Sequence, residues 1–235
     1  MFRFDAVLFD AGGVLVLPDP TVLGPLLAYF GGDGSVAAHR RAHYAAMAAK
    51  SSAGATEGDW TTYDDAYVRS VGVPEVDVAE ATELLGRSRH APLWRWAIPE
   101  SRSALGRLAA AGVPMGVVSN ASGQIESVLA REICQVGDGP HVAMRCVVDS
   151  DVVGVAKPDP AIFDHALVHF ADIEPSRIAY VGDSVTMDIA SSRAAGLHPI
   201  LVDPYDDHPG AAFERIRSLT HLADELAPST RRPDS

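Results

Sequence analysis

Short, wholly apolar runs alternate with longer amphipathic stretches over most of this chain. VLF at 7–9 stops at Asp10, and MGVVS at 115–119, RCVVDS at 145–150, RIAYV at 177–181 and PILVD at 199–203 repeat the pattern. Runs of this length with no polar face suit strands buried on both sides of a parallel sheet. The stretches between them predict helices over 99–111 (ended by Gly112), 124–131, 161–169 and 187–195 (stopped by Gly196), with a last one inside 211–227. Five strands spaced by helices specify an α/β fold, a Rossmann-like, doubly wound parallel sheet.

Residues 17–93 break the alternation, with no convincing strand. A helix is expected over 20–29, closed by GGDG at 31–34. Others are expected from a Ser35 N-cap to Lys50, over 59–71 and over 76–87. This all-helical insertion follows the first strand directly, which places it over the carboxyl edge of the sheet as a lid. The expected division is a core of 1–16 and 94–227, a helical cap of 17–93 and a frayed tail of 228–235.

A hydrophobic content of 47% and a net charge of −12 over 235 residues describe a globular chain with a sizeable core and no basic face for nucleic acid or anionic membrane. A small anionic substrate stays compatible, because a few local cations outweigh a global charge at short range. Cys134 and Cys146 are too few for a disulfide framework or a cysteine-rich zinc site. No leader pattern opens the chain and no run of 18 apolar residues occurs, so a cytoplasmic, reduced protein is expected.

Chemistry collects just past the predicted strand ends. Asp10 follows the first strand, Ser119 ends the second, Lys157 follows the third, and Asp183 with Asp188 follows the fourth. Neighbouring strands lie ~4.8 Å apart, so these side chains can converge on one small site. Carboxylates gathered there repel one another, and a hard divalent cation with oxygen ligands resolves the repulsion. Mg²⁺ is the usual choice when a phosphate completes its shell. The set suits phosphoryl transfer to a carboxylate nucleophile. Lys157 would neutralise charge, and the Ser119 hydroxyl and the N–H groups of the loop after it would hold phosphoryl oxygens.

FDAGGVL, VVSNAS, KPDPAIF and VGDSVTMD resemble, in order and approximate spacing, the four motifs of the haloacid dehalogenase superfamily of hydrolases. The resemblance spans essentially the whole chain and matches the branch with a helical cap in the first position (C1-type, subfamily I). It implies that Asp10 is the nucleophile that becomes an aspartyl phosphate. Ser119, with Asn120 beside it, and Lys157 would bind the phosphoryl group, Lys157 also being the motif lysine. Asp10, the backbone carbonyl of Gly12, Asp183 and Asp188 would serve the metal, Asp188 either through water or by pairing with Lys157.

One position departs from that pattern. Phosphatases of the superfamily usually carry a second Asp two residues after the nucleophile, which protonates the leaving group and activates water. This chain has Gly12. Losing a positioned acid/base costs ~10²–10⁴ in rate, on the order of 3–5 kcal/mol. The favoured reading is a phosphatase of a small phosphorylated metabolite with a good leaving group, or with an acid supplied by the cap. The alternatives are a catalytically weak or inactive binding or regulatory protein and a 2-haloacid dehalogenase, a metal-free branch that the complete acidic pair argues against. A sugar-phosphate mutase would need the missing acid twice.

In the insertion, His39, His43 and Lys50 share one helical stripe, flanked by Arg40 and Arg41. The plain reading is a solvated helix face; the sharper one is a substrate-facing surface with a histidine in place of the missing acid. His39 and His43 at i, i+4 could start a zinc site, but no third ligand is identifiable. Trp94 and Trp96 read as packing residues at the junction. No cap residue is assigned to the site.

Overall fold

The computed structural model describes residues 3–227. In chain order the core begins with β1 (Ala6–Phe9) and β2 (Val16–Pro18). Four helices follow: α1 (Pro20–Ala28), α2 (Val36–Ser52), α3 (Thr61–Ser70) and α4 (Val78–Ser88). The chain then returns through β3 (Trp94–Ala97), α5 (Pro99–Ala110), β4 (Met115–Ser119) and α6 (Ile125–Leu129). Next come β5 (Cys134–Val136), β6 (Val142–Met144), β7 (Val147–Asp149), α7 (Ser150–Val153) and α8 (Asp164–Leu167), the last flanked by 3-10 turns. The described chain ends with β8 (Ile178–Gly182), α9 (Ala190–Ala194), β9 (His198–Val202), β10 (Glu214–Ile216) and α10 (Leu219–Leu226).

Six strands form one sheet in the order β10-β9-β8-β1-β4-β7, with every neighbouring pair parallel. Alternation along β1 shows why the sheet is covered on both faces. Val7 and Phe9 point into a cluster with Leu105 and Leu108 of α5 and Leu222 and Leu226 of α10. Ala6 and Leu8 point the other way, onto Ile162, Phe163 and Phe170. A strand buried on both sides has no use for a polar residue until it ends, and Asp10 marks that end. With β1 between β4 and β8, Asp10, Ser119 and Asp183 lie at three adjacent carboxyl ends, where open α/β sheets hold ligands.

The four helices of the insertion bury a cluster of their own, built from Leu23, Leu27, Met47, Tyr63, Tyr67, Val68 and Leu85. Its start and return are stitched by the antiparallel pair β2–β3.

Two expectations need correction. Residues 214–216 form a sixth strand at the sheet edge, where five were expected, while the last helix, Leu219–Leu226, lies inside the expected 211–227. Its sequence, Glu-Arg-Ile, is half-buried and carries no apolar run, because an edge strand is covered on one side only. The short pairs β2–β3 and β5–β6 lie outside the predicted strands: they pair apart from the central sheet, and half-exposed residues such as Trp94–Ala97 and Gln135–Val136 leave no continuous apolar run. The expected frayed tail, 228–235, lies outside the described residues.

The turn after β8 depends on one absent side chain. Asp188 folds back so far that a Cβ on Gly182 would lie 2.2 Å from its Cγ. Gly182→Ala should therefore destabilise the protein by at least about 1–3 kcal/mol, as overpacking does. Gly106→Ala, in the exposed interior of α5 with nothing within 4 Å of the new Cβ, should instead stabilise it by about 0.5–1 kcal/mol. Urea unfolding of both variants checks the pair; a Gly182→Ala protein as stable as wild type would contradict the packing described.

Candidate active site

Past β1 the chain turns at Gly12 and Gly13. Gly13 has φ +65°, and a Cβ there would stand 1.9 Å from Asp183 Oδ2 and 2.7 Å from His43 Nε2, so this position tolerates no side chain. Asp10, Gly12, Ser119, Asn120, Lys157, Asp183 and Asp188 all line one cavity of about 410 Å³, closed on its far side by Met47, Lys50 and Trp60 of the insertion. A volume of that order suits a small ligand.

Lys157 is the hub. Its buried ammonium lies 3.0 Å from Asp10 Oδ1 and 2.7 Å from Asp188 Oδ1. It also donates to the Tyr180 hydroxyl at 2.8 Å, which in turn donates to the Val118 carbonyl at 2.9 Å. Burial pulls the lysine's pKa down, but Asp10 and Asp188 more than reverse this, so it stays a cation. The second oxygen of Asp188, Oδ2, accepts the N–H groups of Asp183 (3.0 Å) and Ser184 (2.9 Å). Asp188 thus has both oxygens engaged within the protein, and it fixes the turn that presents Asp183.

Asp10 and Asp183 are held differently. Burial pushes the Asp10 carboxyl up to about 7 against the pull of Lys157, and burial also raises Asp183 against the pull of His43. Asp10 Oδ1 has no aligned hydrogen-bond donor despite its ion pair. One oxygen each from Asp10, Asp183 and Asp188 lies within 4.8 Å of the other two. Three carboxylates against one ammonium leave two negative charges, the deficit one divalent cation neutralises. Hard oxygen donors and an orphaned carboxylate oxygen fit Mg²⁺.

The loop after Ser119 is tied back into the protein. Ala121 N–H donates to Ser150 Oγ and Ser122 N–H to Gln124 Oε1, so these two amides are not free for a phosphoryl group. Asn120 braces the lysine's backbone: Oδ1 accepts from Lys157 N at 2.8 Å and Nδ2 donates to the Lys157 carbonyl at 2.9 Å.

The solvated stripe expected on α2 is wrong. His39, His43 and Lys50 are each no more than 2% exposed. His43 lies between Tyr63 and the sheet, with Nδ1 2.9 Å from the Tyr63 hydroxyl and Nε2 2.8 Å from Asp183 Oδ2. An ionised carboxylate only accepts, so Nε2 carries a proton in that contact. His39 turns instead to Tyr67, with Nδ1 2.8 Å from its hydroxyl, and the two rings do not share a ligand site. Arg40 and Arg41 pair with Glu100 and Asp207 of the core. Buried polar groups that find partners look the same in sequence as groups that face water, so helical spacing alone does not separate the two. Trp94 covers the departure at position 12: a Cβ on Gly12 would lie 3.1 Å from its ring. Trp96 packs against the main core.

Among the described residues no helix is long and apolar enough to cross a membrane. A family model described as haloacid dehalogenase-like hydrolase matches residues 4–196. The chain is 37% identical over 123 residues to haloacid dehalogenase-like hydrolase domain-containing protein 3 of Bos taurus, a match covering 49% of this chain and 45% of that protein. It is 35% identical over 126 residues to a phosphoglycolate phosphatase of Rhodospirillum rubrum, covering 53% and 47%. The chain thus spans about half the length of these curated relatives. In fold it is similar to a dehalogenase crystallised as an intermediate complex, with a TM-score of 0.58 at 18% identity over 97% of this chain and 99% of that one. With four motif segments at one cavity and a family match over most of its length, this chain belongs to the haloacid dehalogenase-like hydrolases.

Proposed function

We propose that the protein is a Mg²⁺-dependent phosphatase of a small phosphorylated metabolite, working through an aspartyl phosphate on Asp10 in a reduced, cytoplasmic setting. The observation that carries this reading is the Asp10–Lys157–Asp188 chain of ion pairs, 3.0 and 2.7 Å, beside Asp183 at the mouth of one cavity. A carboxylate whose ionised form a buried ammonium favours against the cost of burial is a nucleophile in waiting, and one approached by no aligned donor keeps a lone pair free.

Asp10 and Asp183, with the Gly12 carbonyl, would hold the metal. Bound there, it offsets charge on the phosphoryl group and on the nucleophile. Asp10 attacks phosphorus as the bond to the leaving oxygen breaks; water then cleaves the aspartyl phosphate, restoring Asp10 and releasing phosphate. Lys157 favours the anionic form of Asp10, and Ser119, which lines the same cavity, would hold a phosphoryl oxygen. Asp188 acts by positioning Lys157 and the Asp183 turn. With glycine at 12, the leaving oxygen departs as an anion or takes its proton from water, which favours acyl and anomeric phosphates. The insertion, 17–93, would act as the cap that admits substrate and excludes bulk water. Trp94 over Gly12 supports a second reading, a binding protein with no turnover.

Phosphate release with Mg²⁺ and with EDTA, on acyl, anomeric and alkyl phosphates, tests this. Wild type should turn over the better leaving groups, lose activity in EDTA, and lose at least ~10³-fold in Asp10→Asn. No release from any ester by wild type, with activity appearing only in Gly12→Asp, would establish the binding reading; halide release from 2-haloacids without metal would establish a dehalogenase.

The raised Asp10 carboxyl has a consequence for stability. Because its folded pKa of about 7 exceeds the ordinary carboxylate value, the native state binds the extra proton, and that stabilisation is full below about pH 4 and lost as pH rises through 7. In EDTA, Asp10→Asn should therefore gain on wild type by about 1–4 kcal/mol between pH 4 and 8. Urea melts across that range measure the gain; parallel curves would show that Asp10 is not destabilised by burial.

A further inference from the structure

The sequence contains only two lysines, Lys50 and Lys157, among 19 basic residues, and both line the cavity. Lys157 is explained by its two carboxylates. Lys50 is not. It sits on α2 at 1% exposure, and among the described residues no carboxylate pairs with it. Its ammonium rests 3.5 Å from the centroid of the Trp60 ring and gives one hydrogen bond, 3.2 Å, to the Glu57 backbone carbonyl. An ammonium has three donors, and burial without a counter-ion is costly, so much so that burial pulls this lysine's pKa down. A methionine would fill the same stem volume without that cost.

The neighbouring charges are already committed. Arg89, which also lines the cavity, is held by Asp64 through two hydrogen bonds of 3.0 and 2.7 Å. The Glu57 carboxylate accepts from Asn120 Nδ2 at 3.1 Å. Lys50 is therefore the basic residue of the insertion that lines the cavity without a carboxylate partner among the described residues.

Resting on the phosphatase reading above, we propose that Lys50 is a specificity residue that binds a carboxylate on the leaving-group side of the substrate, while the phosphoryl group occupies the Asp10 end. A single compact ammonium with one carbonyl and one aromatic face around it matches a monoanion; a second phosphate would call for more donors than this wall offers. The preferred substrates then carry a carboxylate on the leaving group in addition to the phosphoryl group that the Asp10 end binds.

The test is calorimetric binding of two matched two-carbon esters, 2-phosphoglycolate and ethyl phosphate, to Asp10→Asn protein in Mg²⁺. Lys50 is then varied to Met and to Arg in the same background, with circular dichroism confirming the fold. With Lys50 present, 2-phosphoglycolate should bind at least about tenfold tighter than ethyl phosphate. Lys50→Met should bring the ratio below about threefold, and Lys50→Arg should restore part of it, a pattern a purely structural lysine would not produce. Equal binding of both esters, or a preference that survives Lys50→Met, overturns the assignment of Lys50 and leaves the phosphatase reading standing. If neither ester binds, the phosphoryl site itself is wrong and both readings fall.

Discussion

Three carboxylates and one ammonium buried together at the end of a parallel sheet form the constraint on which this structure turns. Each would be costly to strip of water alone, and the attraction between them offsets that cost only where geometry and hydrogen bonding are complete. Lys157 meets the condition by lying within 3.0 Å of Asp10 and of Asp188 while donating to Tyr180. Asp188 meets it by accepting two backbone amides from the turn that carries Asp183. That turn is reachable only because Gly182 has no side chain, and Asp183 in turn fits only because Gly13 has none. Charge pairing and the glycines thus form one device: the small residues bring the charges close enough to compensate one another.

The insertion joins this device mainly through α2, with Glu57 of the following loop accepting from Asn120. Arg40, Arg41, His43, Tyr44 and Ser51 of α2 each reach the core, at Glu100, Asp207, Asp183, the Gly13 carbonyl and the Val185 amide. The seam is largely polar, whereas the contacts that hold the four helices to one another are apolar. Polar contacts exchange for water at modest net cost, and apolar burial does not. The energetic hierarchy therefore favours a helical layer that keeps its own packing while its seam to the sheet opens. Opening that seam would also expose His43 and the Asp183 carboxylate together, so access to the site and its electrostatics are linked.

Much of this was legible in the chain. Strands β1, β4, β7, β8 and β9 of the sheet were visible because burial on both faces leaves an apolar run, and the helices of the insertion because Ser35 and the Gly-rich stretch at 31–34 punctuate them. The carboxylates, Ser119 and Lys157 stood out because they end such runs. What stayed hidden is local or non-local in ways a period cannot report. β10 is charged because it lies at an edge. His43 and Lys50 were indistinguishable from a wetted stripe, since their partners, Tyr63, Asp183 and Trp60, lie 10 to 140 residues away. For Lys50 a signal did exist: in a chain whose basic residues are otherwise arginine, it is the only lysine besides the one in a motif.

The glycine at position 12 and the tryptophan above it are best understood together. A carboxylate there would need the space into which Trp94 projects, since even a Cβ comes within 3.1 Å of the ring. Replacing a polar acid by an aromatic wall removes a proton donor, but it also lowers the local dielectric and strengthens every charge interaction around Asp10 and Lys157. On the phosphatase reading proposed above, such a site would favour attack on an electrophilic phosphoryl group and would do little to help a basic leaving oxygen depart. On that reading discrimination would shift from acid catalysis to the leaving group itself, and the cavity wall contributed by the insertion, where Lys50 and Trp60 stand, would be the surface that selects it.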